Sequence, residues 1–164
     1  MLAEIKGKMV FLYFDKCACA NKWEKEETKE EFYNLLEQTV SQIASSDIHT
    51  VLGDFSAKVG KENVYRPTIG NESLHNETTD NGMKMIQFAL SKGLNIRSTT
   101  FPHKDIHKET WYSADGRTAN QIEHVLISNR FRSAITKLNK FPWQFRNYTV
   151  FWVLLYCYTR VLPC

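Results

Sequence analysis

Two segments of the chain carry apolar residues at the three- and four-residue spacing of a helix. The first segment predicts a helix over Thr28–Ser45, begun by a capping box at Thr28–Glu31. Its apolar face consists of Phe32, Leu35, Leu36, Thr39, Val40 and Ile43. The second predicts a helix over Asn81–Lys92, with Asp80 or Asn81 as N-cap and Gly93 as a left-handed C-cap. Its buried stripe consists of Met83, Ile86, Ala89 and Leu90.

Five shorter segments are rich in β-branched, aromatic and other apolar residues and predict strands. They are Lys8–Phe14, Ile48–Leu52, Leu94–Arg97, Glu109–Ser113 and Asn120–Ser128. The last two are expected to pair with each other through a turn at Asp115-Gly116. Strands and helices in this order indicate an α/β fold with both helices on one side of the sheet. We expect the other side to be exposed or covered by the C-terminal tail.

The chain divides into a domain over residues 1–136 and an unrelated aromatic and apolar tail over residues 137–164. Within the tail, Tyr148–Tyr158 is almost entirely apolar or aromatic. It is about half the ~20 residues that a membrane-spanning helix requires. Its composition suits a strand or an aggregating edge, so we expect no membrane partner and poor solubility.

The composition is that of an ordinary globular protein. Of 164 residues, 43% are hydrophobic and 24% charged, which is enough for one core. A net charge of +3 permits contact with nucleic acid without requiring it. Cys17-Ala18-Cys19 is too tight for a zinc knuckle, so the cysteines are interpreted as free thiols. The first residues do not form a signal peptide, and we expect a nuclear or cytoplasmic protein.

The candidate chemistry lies where the apolar run Ile48–Leu52 stops at Gly53-Asp54. A carboxylate at the end of a strand can take a proton or hold a metal ion. The alternative is an Asp that only caps the turn before Gly60. Downstream, Lys58 could contact a phosphate or be an ordinary surface lysine. His103 and His107 have the spacing of a helical metal pair, but their segment has no apolar periodicity and is interpreted as a loop.

Gly53-Asp54-Phe55-Ser56 resembles the Gly-Asp-Phe-Asn motif of the endonuclease/exonuclease/phosphatase superfamily. The version is that of non-LTR retrotransposon endonucleases, a group that includes craniofacial development protein-like sequences. The resemblance runs from about Glu30 to Ser133. Its further motifs are Asn81-Gly82 with Phe88 and Gly93-Leu94, then Ser98–Phe101, Thr110-Trp111 and Gln121–Ser128. It implies an incomplete, partial four-layer α/β sandwich.

The resemblance also implies a chemistry, since the family cleaves phosphodiester bonds of DNA with one divalent ion, usually Mg²⁺. Asp54 matches the Asp that activates water or handles a proton, and Ser56 stands where the family has Asn. Glu123 stands where an Asp orients the histidine of a terminal Ser-Asp-His motif. Lys58 and Trp111 are the candidate substrate contacts, with core packing as the alternative for Trp111.

The chain departs from the family at several of these positions. The Tyr-Ala-Pro-Thr motif is replaced by Phe14–Cys19, and no Ser-Asp-His triplet occurs. The family's metal-binding Glu and early Asn belong to N-terminal strands without a match here. His124 neighbours Glu123 in a strand and is expected to point to the opposite face. We therefore expect no bound Mg²⁺ and no metal ligands.

The function that follows is a diverged, inactive remnant of a magnesium-dependent retrotransposon endonuclease, with weak or absent DNA binding. One alternative is a non-catalytic interaction protein that uses the same half-sandwich as a binding surface. Another is a membrane-tethered protein that uses the aromatic tail. The oligomeric state does not follow from these residues.

Overall fold

A four-stranded sheet with two helices on one face organises the chain in a computed structural model, which describes residues 9–14 and 26–135. The helices are α1 (Glu26–Ser41) and α2 (Asp80–Ser91). The strands are β1 (Met9–Phe14), β2 (Ile48–Asp54), β3 (Leu94–Ile96), β4 (Trp111–Tyr112), β5 (Ala119–Asn120) and β6 (Glu123–Ser128). Short 3₁₀ turns occupy Asn63–Tyr65, Arg97–Thr99, Asp105–His107 and Asn129–Ala134. The predicted α/β fold class is confirmed.

The main sheet has the strand order β1-β2-β6-β3. β1 runs parallel to β2, whereas β6 is antiparallel to both β2 and β3. The β2–β6 register places Leu52 opposite Val125 and Asp54 opposite Glu123. This register decides what meets at the end of the sheet, because side chains alternate between its two faces.

Both helices pack on one face of the sheet, as predicted. Leu36 and Val40 of α1 and Ile86 of α2 share one buried cluster with Val51 and Leu126. Three aromatic rings extend this cluster towards β1. The ring of Phe14 lies edge-on to those of Phe55 and Phe32, with centroid distances of 4.7 and 5.1 Å. Edge-to-face rings of this kind stabilise a core beyond the area they bury.

The opposite face carries a second, smaller apolar cluster. It contains Ile48, Leu52, Val125, Ile127 and Ile135, with Phe11, Phe101, Phe131 and Ala134 packed against it. Apart from Phe11 of β1, the covering residues come from the loop after β3 and from the chain that follows β6. The prediction was that this face is exposed or covered by the tail, and the described residues already cover part of it themselves. Residues 137–164 lie outside the described residues.

Both helices begin and end slightly off their predicted limits. α1 begins at Glu26, upstream of the predicted capping box at Thr28, and ends at Ser41 rather than Ser45. Beyond it the chain tightens into 3₁₀-type turns such as Gln42 N donating to Thr39 O at 3.2 Å.

The N-cap of α2 is Thr79, whose hydroxyl accepts from Gly82 N at 3.3 Å, and neither Asp80 nor Asn81 has that role. Gly93, with φ of +60°, is the predicted left-handed residue after the helix.

The predicted pairing of Glu109–Ser113 with Asn120–Ser128 is wrong in its extent. Only β4 and β5 pair in this hairpin, and β6 instead joins the main sheet between β2 and β3. The turn itself is where it was predicted, with Gly116 at φ of +71°. Among the described residues, no helix is both long and apolar enough to cross a bilayer.

We expect Gly82→Ala to destabilise the protein even though alanine favours helix. A Cβ at Gly82 would lie 2.1 Å from the carbonyl oxygen of Lys58, which is backbone and cannot move aside cheaply. The overpacking outweighs a propensity gain of about 1 kcal/mol, leaving a net loss of about 2 kcal/mol in urea unfolding. Exposed Gln87→Ala in the same helix should stay within about 0.5 kcal/mol of wild type. Equal stability of the two variants would contradict the close contact.

Candidate functional site

Two carboxylates meet across the β2–β6 pair at the end of the sheet. Asp54 is the last residue of β2 and lies directly opposite Glu123, the first residue of β6. Asp54 and Glu123 lie two residues from Leu52 and Val125, which are on the sheet face away from the helices. Because side chains alternate along a strand, the two carboxylates lie on that same face. Directly opposed residues have Cβ atoms about 5 Å apart. The structure thus brings together two of the predicted site residues, both half-buried.

Asp54 also shapes the turn that follows it. Its Oδ1 accepts hydrogen bonds from Ser56 N at 2.8 Å and from Ser56 Oγ at 3.2 Å. This is the side-chain turn that Asp and Asn form with backbone two residues onward. The turn-capping alternative is therefore present in the structure, and the same side chain lies beside Glu123.

Ser56 occupies a left-handed backbone conformation, with φ of +48°. Serine adopts this region at a cost, whereas Gly and Asn reach it readily. The family motif that the sequence resembles has Asn here, so the position favours Asn on conformation alone. With Ser at this position the turn is intact, and the backbone stores strain beside the carboxylates.

Asn81 holds the turn from the helix side. Its Nδ2 donates to Phe55 O at 2.8 Å and to Ser56 O at 3.2 Å, while Tyr33 OH donates to the backbone carbonyl oxygen of Asn81 at 3.3 Å. The sequence indicated Asn81 only as a possible N-cap, and this tertiary role was missed. Its one signal was its place in the Asn81-Gly82 motif.

Thr110 holds the start of β6, and with it Glu123. Its hydroxyl oxygen accepts from Ile122 N at 2.9 Å and from Glu123 N at 3.1 Å. Its neighbour Trp111 is 42% exposed, so the core-packing alternative for that residue is wrong. The sequence indicated the Thr110-Trp111 motif, and within it Thr110 is the residue that bonds to the start of β6.

His124 points to the opposite face from Glu123, as predicted, and is 1% exposed. Nε2 lies 2.8 Å from the carbonyl oxygen of Ala57, which can only accept, so this nitrogen carries the proton. Nδ1, 2.8 Å from Ser98 Oγ, then accepts from that hydroxyl. Burial lowers the pKa of His124 to about 4, and the ring is neutral at physiological pH.

Gln121 and His75 join the neighbouring loops to β6. Gln121 donates from Nε2 to Ser98 O and accepts at Oε1 from Leu74 N, both at 3.0 Å. His75 Nε2 accepts from Gln121 N at 3.2 Å. Burial and then the charge of Lys58 lower the pKa of His75, which places the Lys58 ammonium near this ring. The predicted substrate contact Lys58 is half-buried and within electrostatic reach of His75.

The described residues do not complete a magnesium site by themselves. Within residues 9–14 and 26–135, no group of three or more His, Cys, Asp or Glu side chains could hold a metal ion. Asp54 and Glu123 supply two carboxylates, and one oxygen of Asp54 already accepts two hydrogen bonds. A magnesium site of this kind is completed by water and substrate phosphate oxygens in octahedral geometry.

The chain is similar to curated proteins over part of their length. No family model matches the chain. The chain is similar to craniofacial development protein 2 of Bos taurus, with 28% identity over 111 residues, and the same holds for the protein of Tragulus javanicus. The matched region covers 68% of this chain but 18% and 19% of those proteins. The chain thus spans under a fifth of the length of the curated relatives it matches.

Substitutions at Ser56 should separate backbone strain from side-chain chemistry. We expect Ser56→Asn to raise the free energy of unfolding by about 0.5–1 kcal/mol, because Asn tolerates the left-handed conformation. Ser56→Val should lower it by about 2 kcal/mol, since a β-branched residue is strongly disfavoured there and the hydroxyl is lost. Urea unfolding at constant m-value measures both. A Val variant as stable as the Asn variant would contradict a left-handed Ser56.

The buried His124 predicts a loss of stability in mild acid. Its folded pKa of about 4 lies below the ordinary value of 6.5, so only the unfolded state takes up the proton between those limits. Stability is complete above pH 6.5 and falls by about 3 kcal/mol as the pH approaches 4. The lowered pKa of His75 acts in the same direction.

Urea unfolding as a function of pH tests this. His124→Gln should flatten the dependence between pH 6.5 and 4, and exposed His107→Gln should leave it unchanged. An equal slope in wild type and His124→Gln would refute the assignment.

Proposed function

We propose that this chain is a diverged, non-cleaving relative of the endonuclease/exonuclease/phosphatase superfamily, derived from a retrotransposon-type DNA endonuclease. The observation that carries the proposal is the cross-strand pair of Asp54 and Glu123 at the end of the sheet. The 28% identity with craniofacial development protein 2 supports it, because the Gly53–Ser56 motif resembles that same group.

Phosphodiester hydrolysis needs an activated water, neutralisation of charge at the phosphate and a stabilised leaving oxygen. Asp54 uses Oδ1 in its own turn, and Glu123 is one methylene longer than the Asp of the family. His124 is turned to the other face, neutral and bonded at both ring nitrogens. The arrangement of Asp54, Glu123 and His124 therefore supports a protein that keeps the fold of the family but does not hydrolyse phosphodiesters.

The second candidate is a non-catalytic interaction protein built on the same half-sandwich. The observation in its favour is the β4–β5 hairpin, which exposes Trp111 and Tyr112 by 42% and 44%. Exposed aromatic residues of this kind are enriched where proteins bind a partner. Both candidates use the same end of the molecule, since Thr110 joins the hairpin to the start of β6.

We expect the full chain to show no magnesium-dependent nicking of supercoiled plasmid. Catalytic groups that act as a unit are strongly non-additive, so a site with an incomplete set loses most of its rate. The measurement is conversion to open circle in Mg²⁺ and in EDTA, with Asp54→Ala as the matched variant. The double variant Ser56→Asn with Glu123→Asp should restore nothing by itself, because neither change supplies a cation ligand or a histidine.

The informative contrary result is nicking by wild type in Mg²⁺ that is absent from Asp54→Ala. It would mean that a complete site exists, with further ligands outside the described residues. Nicking that is equal in wild type and Asp54→Ala would indicate a contaminating nuclease and leave the proposed loss of activity standing for this site.

A further inference from the structure

Asn81-Gly82 is the single Asn-Gly pair in the sequence, and it lies in the first turn of α2. An asparagine followed by glycine readily loses its side-chain amide, because glycine has no side chain to hinder attack by its own backbone nitrogen and its backbone bends freely. Exposed Asn71 and Asn76 are each followed by Glu, whose side chain hinders that attack. The chain therefore carries a chemically labile pair inside a helix.

Packing fixes both members of this pair. Asn81 is 7% exposed, and its Nδ2 donates to Phe55 O at 2.8 Å and to Ser56 O at 3.2 Å. Gly82 tolerates no larger side chain, since a Cβ there would lie 2.1 Å from the carbonyl oxygen of Lys58. Each residue is thus needed for a different contact, and the labile pair is retained because the fold requires both.

The same contacts suppress the loss of the amide in the folded protein. Ring closure requires the Gly82 nitrogen to reach Asn81 Cγ, so Asn81 must leave its helical backbone conformation. Gly82 N must also give up its bond to Thr79 Oγ1, at 3.3 Å, and Thr79 is itself bonded through its N to Lys58 O at 3.1 Å. The reaction therefore requires the start of α2 to open, and its rate follows the population of the open form.

We propose that Asn81-Gly82 is a deamidation site that the fold closes and that unfolding opens. The Gly82 nitrogen attacks Asn81 Cγ and forms a C–N bond, while Nδ2 leaves as ammonia and takes the proton that the Gly82 nitrogen loses. Water then opens the resulting ring at either carbonyl and leaves aspartate or isoaspartate. The site goes beyond the proposed function, because no step involves Asp54 or Glu123.

Both products of this reaction are incompatible with the native packing. In aspartate, an oxygen replaces Nδ2 and faces the carbonyl oxygens of Phe55 and Ser56, which can only accept. Among the described residues, Asn81 Oδ1 is already buried without a hydrogen-bond partner, so the new charge would gain no donor. Isoaspartate lengthens the backbone in the first turn of α2 and displaces Gly82 from Lys58. Deamidation should therefore make unfolding irreversible.

The test incubates the full chain at mildly alkaline pH in buffer and in urea. Peptide mass spectrometry measures conversion of Asn81, Asn71 and Asn76, and methylation by an isoaspartyl methyltransferase detects isoaspartate. We expect Asn81 to react fastest of the three in urea and roughly a thousandfold or more slowly in buffer, because a stable domain opens that rarely. Exposed Asn71 and Asn76 should react slowly and at similar rates in both.

Variants separate the chemistry from the protection. Gly82→Ala should lose most of the reaction in urea, since its side chain hinders the attack. Val40→Ala, in the core and away from the pair, should speed deamidation of Asn81 in buffer about tenfold or more by raising the unfolded population, whereas exposed Gln87→Ala should not. Asn81→Asp should lower the melting temperature, and the matched exposed Asn76→Asp should leave it unchanged.

Equal deamidation of Asn81 in buffer and in urea would overturn the proposal, and this comparison needs no variant. So would an Asn81 that reacts no faster than Asn71 in urea, or a rate in buffer that Val40→Ala leaves unchanged. A deamidated chain that regains the wild-type melting temperature after removal of urea would refute the block to refolding.

Discussion

The antiparallel pairing of β2 with β6 is the constraint on which the rest of the molecule depends. β2 lies between β1 and β6, and its two faces supply both apolar clusters, with Val51 on one side and Ile48 and Leu52 on the other. A shift of one residue in this register would exchange those faces and bury Asp54 or Glu123 against the helices. The opposition of the two carboxylates is thus a consequence of how the core is filled.

Buried polar groups then fix the loops around that pair. Buried Asn81, Gln121 and His124, and half-buried Thr110, each bond to backbone atoms of segments distant in the chain. Such bonds are costly to break, because a buried donor or acceptor left alone loses the full energy of its hydration. They account for a strained Ser56 that persists in the left-handed region, since several neighbours hold the turn at once.

The sequence alone determined the elements whose signal is local. Periodic apolar residues identified both helices, and Gly93 identified the end of the second. Asp115-Gly116 identified the hairpin turn, and the apolar run ending at Asp54 identified the strand that delivers a carboxylate. It also placed His124 on the face opposite to Glu123, because alternation in a strand is a local rule.

Tertiary structure decided what depends on distant partners. β6 pairs with β2 and β3 instead of extending the predicted hairpin, because this central position buries both of its faces. Asn81 lies inside α2, whose N-cap is Thr79, and its Nδ2 instead donates to the carbonyls of Phe55 and Ser56. The opposition of Asp54 to Glu123 joins residues far apart in the chain. Only the folded sheet brings such groups together, since their contacts arise from packing and not from spacing.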